Sequence, residues 1–345
     1  MFSTFYLRFS IFHLQPPTAY YKNDHAEVRI DMKNQAINFS LIFTLLLAAL
    51  WFPGLVPAQQ STSELEIKVS KVNGQVSLIN ASGSGGTMNA AVSVGTDGLL
   101  LVDGFILPLS ERLRSTLKSV SDRPVKFLIN THWHGDHTGP NNALGSETVI
   151  IAHANTRRRL MTEQRPPWLQ TPMPPRPPQA WPVITFEQSL SLHFNGEEIK
   201  LIHLSNAHTD GDTVVWFTGS KVVSMGDVIF LVGGELNPSS DSYSGGDAQS
   251  LERGLASLIA QLPPDVTIIP GHGRLLTLND LKAYHRILTG TIELVRRHMA
   301  EGKKFDEIKA QRLPKEFDSL GNWKLSPEAW IETVYESLMK NRTNR

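Results

Sequence analysis

Cysteine is absent from all 345 residues. That excludes disulfides, thiolate metal ligands, a cysteine nucleophile and a lipid-modified cysteine at a cleavage site. Any metal site must be assembled from His, Asp and Glu. Net charge is absent too: 33 basic and 33 acidic side chains cancel to +0, with no long basic run. This composition speaks against electrostatic capture of nucleic acid. No uninterrupted apolar stretch reaches the ~20 residues of a comfortable membrane span. What remains is an apolar content of 41% with 25 Gly and 21 Pro, ordinary for a loop-rich globular enzyme of one large or two modest domains.

The N-terminal region reads as a targeting segment. Met32-Lys33-Asn34-Gln35 is a short charged lead, residues 39–50 are an apolar core, and Pro53 and Gly54 break it before Val56-Pro57-Ala58. That order fits a secretory signal over 32–58 with cleavage near Ala58. Residues 1–31 then read as a doubtful N-terminal extension, with Met32 the more natural start. The mature chain, 59–345, is expected as a single domain, secreted or periplasmic, with no stable membrane anchor after cleavage. An uncleaved anchor is the alternative. The lack of cysteine does not conflict with export, where disulfides are permitted and not required.

From residue 65 onward strands dominate. Segments 67–72 and 74–79 alternate around an Asn73-Gly74 hairpin signal. Segments 90–94 and 98–102 form a second pair, followed by a helix over 109–120 burying Leu109, Leu113, Leu117 and Val120. A strand at 125–130 is followed by a helix opening at 139–144, a strand at 148–152 and a helix at 154–161. Residues 166–182 carry eight prolines, which forbids regular ladders and favours stiff extended backbone. Further strands are expected at 190–194, 198–204, 213–217, 221–225 and 266–269. Helix 248–262 places Leu251, Leu255, Leu258, Ile259 and Leu262 on one stripe. The chain ends in helices, the last from residue 327.

The chemistry concentrates after the 125–130 strand. Thr131-His132-Trp133-His134-Gly135-Asp136-His137-Thr138-Gly139 places three histidines and an aspartate within six residues. Imidazole nitrogen and carboxylate oxygen are what a borderline cation such as Zn²⁺ accepts. His208, Asp227 and His272 each follow an apolar strand in a turn, and such strand ends can converge on one edge of a sheet sandwich. The count suggests two Zn²⁺, or other divalent ions. His132, His134 and His208 would hold one; Asp136, His137 and His272 the other; the Asp227 carboxylate would bridge them. A water or hydroxide between two such ions is the nucleophile of a hydrolysis, with Asp136 placed to orient it and handle its proton.

These motifs resemble those of the metallo-β-lactamase superfamily. The His132–His137 run is similar to the family signature. Ala207-His208-Thr209-Asp210-Gly211-Asp212, Gly226-Asp227 and Pro270-Gly271-His272-Gly273 resemble its later motifs in order, and Leu99-Leu100-Leu101-Val102-Asp103 its early structural aspartate. The resemblance spans about residues 65–300. It implies an α+β fold, a four-layer αββα sandwich, with a dinuclear metal site at one edge of two sheets. It also implies a small-molecule substrate. Asp227 stands where the best-known zinc β-lactamases carry cysteine or serine, and Phe230 where many use a lysine to hold the drug's carboxylate. A bridging aspartate is more similar to the glyoxalase II, lactonase and general metallohydrolase branches. The layout is most similar to exported bacterial hydrolases of unassigned substrate, and the expected reaction is attack of a metal-bridging hydroxide on the carbonyl of a lactam, ester, lactone or thioester. The alternatives are a β-lactamase proper, a glyoxalase II-like thioesterase, and an iron-dependent sulfur dioxygenase on the same fold. Two complete donor sets argue against the last, which usually needs one iron with open positions.

Weaker signals surround the centre. Asp103 and Asp212 are expected to support it by hydrogen bonds to ligands or backbone, as outer partners of metal ligands do. The Pro-rich stretch reads either as an apolar rim over the metals or as a stiff surface connection. Loop 231–247 must begin near the metals. Trp168, Tyr243 and Ser244 are the candidates for substrate contact.

Overall fold

A computed structural model describes residues 65–84, 86–167, 169–232, 234–311 and 326–343. The expected extension at 1–31, the signal at 32–58 and Trp168 lie outside the described residues.

Seven strands form the first sheet in chain order: β1 (Glu66–Asn73), β2 (Val76–Gly83), β3 (Gly86–Gly95), β4 (Gly98–Val102), β5 (Val125–Ile129), β6 (Val149–His153) and β7 (Ile184–Phe186). β1 to β4 pair antiparallel, and β4 to β7 pair parallel. The remaining strands are β8 (Ser189–Phe194), β9 (Glu197–His203), β10 (Thr213–Phe217), β11 (Val222–Gly226), β12 (Leu231–Val232), β13 (Glu235–Leu236), β14 (Thr267–Pro270) and β15 (Leu276–Thr277). Six of them make the second sheet in the order β15-β14-β11-β10-β9-β8, while β12 and β13 pair with each other. The helices are α1 (Ser110–Val120), α2 (Gly135–Thr138), α3 (Asn141–Leu144), α4 (Ala154–Met161), α5 (Ala248–Ile259), α6 (Leu278–Ala300), α7 (Phe305–Lys309) and α8 (Pro327–Thr343).

The layer order follows from strand parity. Every residue of β4 is buried, so the strand reads as an unbroken apolar run rather than an alternating one. Its even positions, Leu100 and Val102, face inward and join Ile199, Leu201, Val215 and Phe217 of the second sheet in a core between the sheets. Its odd positions, Leu99 and Leu101, join Leu109, Leu113 and Leu117 on the outer face. On the far side Val214, Val223 and Ile268 pack with Leu251, Leu255 and Leu258 of α5, Leu288 of α6 and Ile331 of α8. Three apolar cores therefore separate four layers, α, β, β and α. Burying each such Leu or Val side chain stabilises the fold by about 1.5–3 kcal/mol. The α+β sandwich expected from the sequence is the observed fold.

Local deviations have local causes. Gly74 takes φ +51 in the hairpin turn, so the second strand begins at Val76 rather than at 74. The chain past the motif divides into α2 and α3 instead of one helix at 139–144. Val120 is only half-buried. β7 was not expected: it is three residues long and its Ile184 faces solvent. The Pro-rich stretch makes no ladder beyond a single bridge between Gln164 and Met173, as its prolines require. It is nonetheless pinned, by Asn141 Nδ2 donating to Ala180 O at 3.0 Å and by Arg157 donating to Pro182 O.

Candidate metal centre

The seven candidate ligands all leave from strand ends at one edge. β5 ends at Ile129, and its exit is locked by a reciprocal pair, Asn130 and Asn141, with amide bonds of 3.1 and 2.8 Å. Thr131 O accepts from Thr213 N at 2.7 Å, tying this exit to the second sheet. His132 and His134 lie in the bend before α2, whereas Asp136 and His137 lie on its single turn. That change of backbone sends the two halves of one motif in different directions. His208 sits in a turn closed by Asp212, whose carboxylate accepts from His208 N, Thr209 N and Thr209 Oγ1 at 2.6–2.8 Å. Asp227 and His272 follow glycines where a larger residue would press on the site. A Cβ on Gly226, which takes φ +51, would lie 2.3 Å from Thr131 Oγ1; one on Gly271 would lie 2.1 Å from Asp227 Oδ1.

Two donor sets result. His132, His134, His208 and Asp227 form one, and Asp136, His137 and His272 the other, with ligand atoms inside each set within 4.8 Å of one another. His134 Nδ1 lies 3.0 Å from His132 Nε2 and 3.4 Å from His208 Nε2. Asp227 Oδ2 lies 4.0 and 3.8 Å from those two Nε2 atoms. Its other oxygen, Oδ1, lies 3.4 Å from both His137 Nε2 and His272 Nε2. Asp136 Oδ2 completes the second set, 3.2 Å from His272 Nε2 and 3.7 Å from His137 Nε2. The carboxylate of Asp227 thus divides its oxygens between the sets.

The ring nitrogen of each histidine that faces away from its set is also held. Thr131 Oγ1 lies 3.2 Å from His132 Nδ1, Asp241 Oδ2 3.1 Å from His134 Nε2, and Ser239 O 3.4 Å from His208 Nδ1. Asp103 Oδ2 lies 2.9 Å from His137 Nδ1, and Thr87 O 2.5 Å from His272 Nδ1. Such partners fix tautomer and ring orientation. Asp103 also accepts from Thr131 N at 2.7 Å and Thr131 Oγ1 at 2.6 Å. Asp103 thus reaches both a histidine ring and the backbone beside it, while Asp212 holds the backbone of the His208 turn. Asp241, Ser239 and Thr87 were missed: two act through backbone carbonyls, which no side-chain pattern reveals.

The substrate candidates are corrected in part. Ser244 is fully buried; its hydroxyl accepts from Trp133 Nε1 at 2.9 Å and donates to Asp241. It braces the His134 partner and cannot meet a substrate. Tyr243 OH accepts from Arg165 N at 2.6 Å, fastening loop 231–247 to the start of the Pro-rich stretch. Phe230 packs edge-on to the His272 ring, with centroids 5.1 Å apart.

The ionisable groups of the centre perturb one another strongly. Burial pushes Asp136 and Asp227 up, but the histidines beside them outweigh it and hold both carboxyls below their usual range. Burial pulls His137 and His272 down, yet Asp227 and Asp136 reverse that, and His272 is raised to about 10. Burial lowers His208 to about 4 and raises Asp212 to about 8. The carboxylates that hold protons on His137 and His272 are equally suited to hold divalent ions, which displace those protons on binding. His137 Nε2 and Asp227 Oδ1 are buried, face each other at 3.4 Å, and make no hydrogen bond among the described residues. Orphaned polar atoms of that kind cost stability unless something sits between them. The donor set, nitrogen and carboxylate oxygen with no sulfur, fits a zinc-like ion.

The family model described as the metallo-beta-lactamase superfamily matches residues 85–272. The chain belongs to that superfamily, whose members are metal-dependent hydrolases. It is 28% identical over 175 residues to hydroxyacylglutathione hydrolase GloC of Haemophilus influenzae, covering 50% of this chain and 80% of that one. It is 30% identical over 142 residues to 2,4-dinitroanisole O-demethylase subunit alpha of Nocardioides sp., spanning only 39% of that protein's length. A metallo-beta-lactamase from Pontibacter korlensis shares the fold with TM-score 0.55 at 18% identity, covering 65% of this chain and 99% of that one.

Proposed function

We propose that this chain is an exported dinuclear zinc hydrolase that attacks the carbonyl of a small-molecule lactam, ester, lactone or thioester. The observation that carries it is the Asp227 carboxylate, one oxygen turned to each donor set. When bound, two divalent ions polarise a carbonyl and lower the pKa of water from about 15.7 towards 7.

The protein's own groups divide the remaining work. Asp227 is almost sealed, whereas the side chains of Asp136 and His134 are 32% and 22% exposed. The centre therefore opens on the Asp136 side. Asp136, ionised at neutral pH, faces that opening, where it holds the attacking water and takes its proton. Trp133, Ser244 and Asp241 form a buried brace that keeps His134 from swinging into the opening.

A thioesterase like the GloC relative is the favoured substrate reading, supported by the 80% of that protein the likeness covers. A β-lactamase is the second reading, supported only by fold. Export rests on residues 32–58. Among the described residues no helix is long and apolar enough to cross a membrane. The test is a hydrolysis panel on the zinc-loaded mature protein, with nitrocefin, thioesters, lactones and phosphoesters side by side, and metal analysis in parallel. Turnover of a carbonyl substrate with about two zinc ions per chain is expected. One tightly bound iron, no zinc and no hydrolysis would overturn it.

A further inference from the structure

Beside the centre lies a cavity of ≈ 360 Å³ lined by Asn142, Leu169, Met173, Arg176 and prolines of the 166–182 stretch. Arg176 joins the two places. A Cβ built on Gly135 would lie 3.4 Å from Arg176 Nη2, and Gly135 stands between His134 and Asp136 on the open side. The arginine is set in position by its backbone. Its N–H donates to Leu160 O at 2.8 Å, and its carbonyl accepts from Trp181 Nε1 at 2.8 Å.

Neighbouring arginines are committed to the scaffold. Arg159 donates to both oxygens of Asp210 and lies over the Trp133 ring; Arg157 donates to Pro182 O and lies over Trp181. The half-buried Arg176 guanidinium makes no ion pair or hydrogen bond with any described residue. Burial alone displaces its pKa, and downward, as expected of a cation with no carboxylate beside it.

A planar fork of donors, partly desolvated and unpaired, matches a carboxylate bidentately. We propose that Arg176 and the cavity it lines bind a carboxylate of the substrate, making the enzyme selective for acyl compounds with a free carboxylate on the side facing residues 169–177. Leu169 and Met173 receive the apolar part of that group. This inference rests on the hydrolase reading above and adds the substrate class to it.

The experiment pairs a thioester bearing a free carboxylate with its methyl ester, on zinc-loaded wild type, Arg176→Ala and Arg176→Lys. In wild type the carboxylate compound should have kcat/KM about ten- to a hundredfold above the ester, the worth of charged hydrogen bonds. Arg176→Ala should collapse that ratio, chiefly through KM. Arg176→Lys should keep only part, having charge without the fork. Equal use of both compounds by wild type, or an unchanged ratio in Arg176→Ala, overturns the proposal. Calorimetric binding of benzoylglycine and its methyl ester reads the same site without turnover. A preference for the acid that Arg176→Ala removes supports the proposal even if no substrate in the panel is hydrolysed. A preference that survives in Arg176→Ala belongs to the metals and overturns it.

Discussion

Asp103 is the most informative residue to perturb, because one carboxylate orients a histidine from each donor set. It is nearly fully buried and accepts three hydrogen bonds, two from Thr131 and one from His137. Through Thr131 Oγ1 it reaches His132 as well. Asp103 also takes φ +57, a left-handed conformation that Asn tolerates. Asp103→Asn is therefore a substitution that tests the oxygen without disturbing the backbone. The amide keeps Oδ1 for Thr131 N and replaces Oδ2 with an NH₂. The Thr131 hydroxyl can rotate away from it; the His137 Nδ1–H cannot. Leaving that buried donor unpaired costs about 1–3 kcal/mol. Loss of an outer carboxylate partner typically weakens metal binding about 10–100-fold, which is ~1.4–2.7 kcal/mol, so two independent routes agree. The expected result is a 10–100-fold loss at the Asp136/His137/His272 set and a smaller loss at the His132/His134/His208 set. Zinc titration against a chromophoric chelator resolves the two steps, and circular dichroism checks the fold. An unchanged second step, or a larger loss at the first, would refute the reasoning.

Three further outcomes are expected. Gly271→Ala pushes a methyl into Asp227 Oδ1 and His137 Cε1, and displacement of a catalytic carboxylate on the 1 Å scale costs about a hundredfold; mass spectrometry should also find fewer than two metals per chain. Asp136→Asn should leave the fold intact and cut kcat by about 10²–10⁴, and wild-type turnover would show that another group handles the proton. In the metal-stripped protein His137 and His272 have pKa values raised above those of the unfolded chain, His272 to about 10. Their stabilisation is full below the unfolded value of about 6.5 and is lost as pH rises towards 10. Thermal melts in chelator should therefore fall across that window. In zinc they should hold, because metal binding favours deprotonated ligands; a stripped protein that gains stability there would contradict the assignment.

The sequence made the centre legible because its ligands obey local rules. An apolar run of strand length followed by a polar turn marks each strand end, and the passage from a bend to one helical turn separates His132 and His134 from Asp136 and His137. The sandwich was legible for a different reason: the β4 run Leu99-Leu100-Leu101-Val102 leaves no face for water. What escaped was non-local. Asp241 lies in a Gly/Ser/Asp-rich loop whose composition resembles many surface loops, and its role depends on Trp133 arriving from 111 residues away through Ser244. Ser244 looked like a pocket residue for the same reason. Thr87 and Ser239 act through carbonyls common to every residue type. Arg176 sits among prolines, where no periodicity indicates which way a side chain turns.

The division of ligands between the sheets has a mechanical side. His132, His134, Asp136 and His137 follow the first sheet; His208, Asp227 and His272 belong to the second. Each donor set draws from both, so an ion in either would act as a rivet through the sandwich edge. Next to it Asn89 of β3 holds Pro270 O and Gly273 O at 2.9 Å, a seam that needs no ion. The grip that activates water is thus also a clamp between two halves of the protein. A substitution that loosens the edge to admit a bulkier substrate draws on the same affinity that retains the ions.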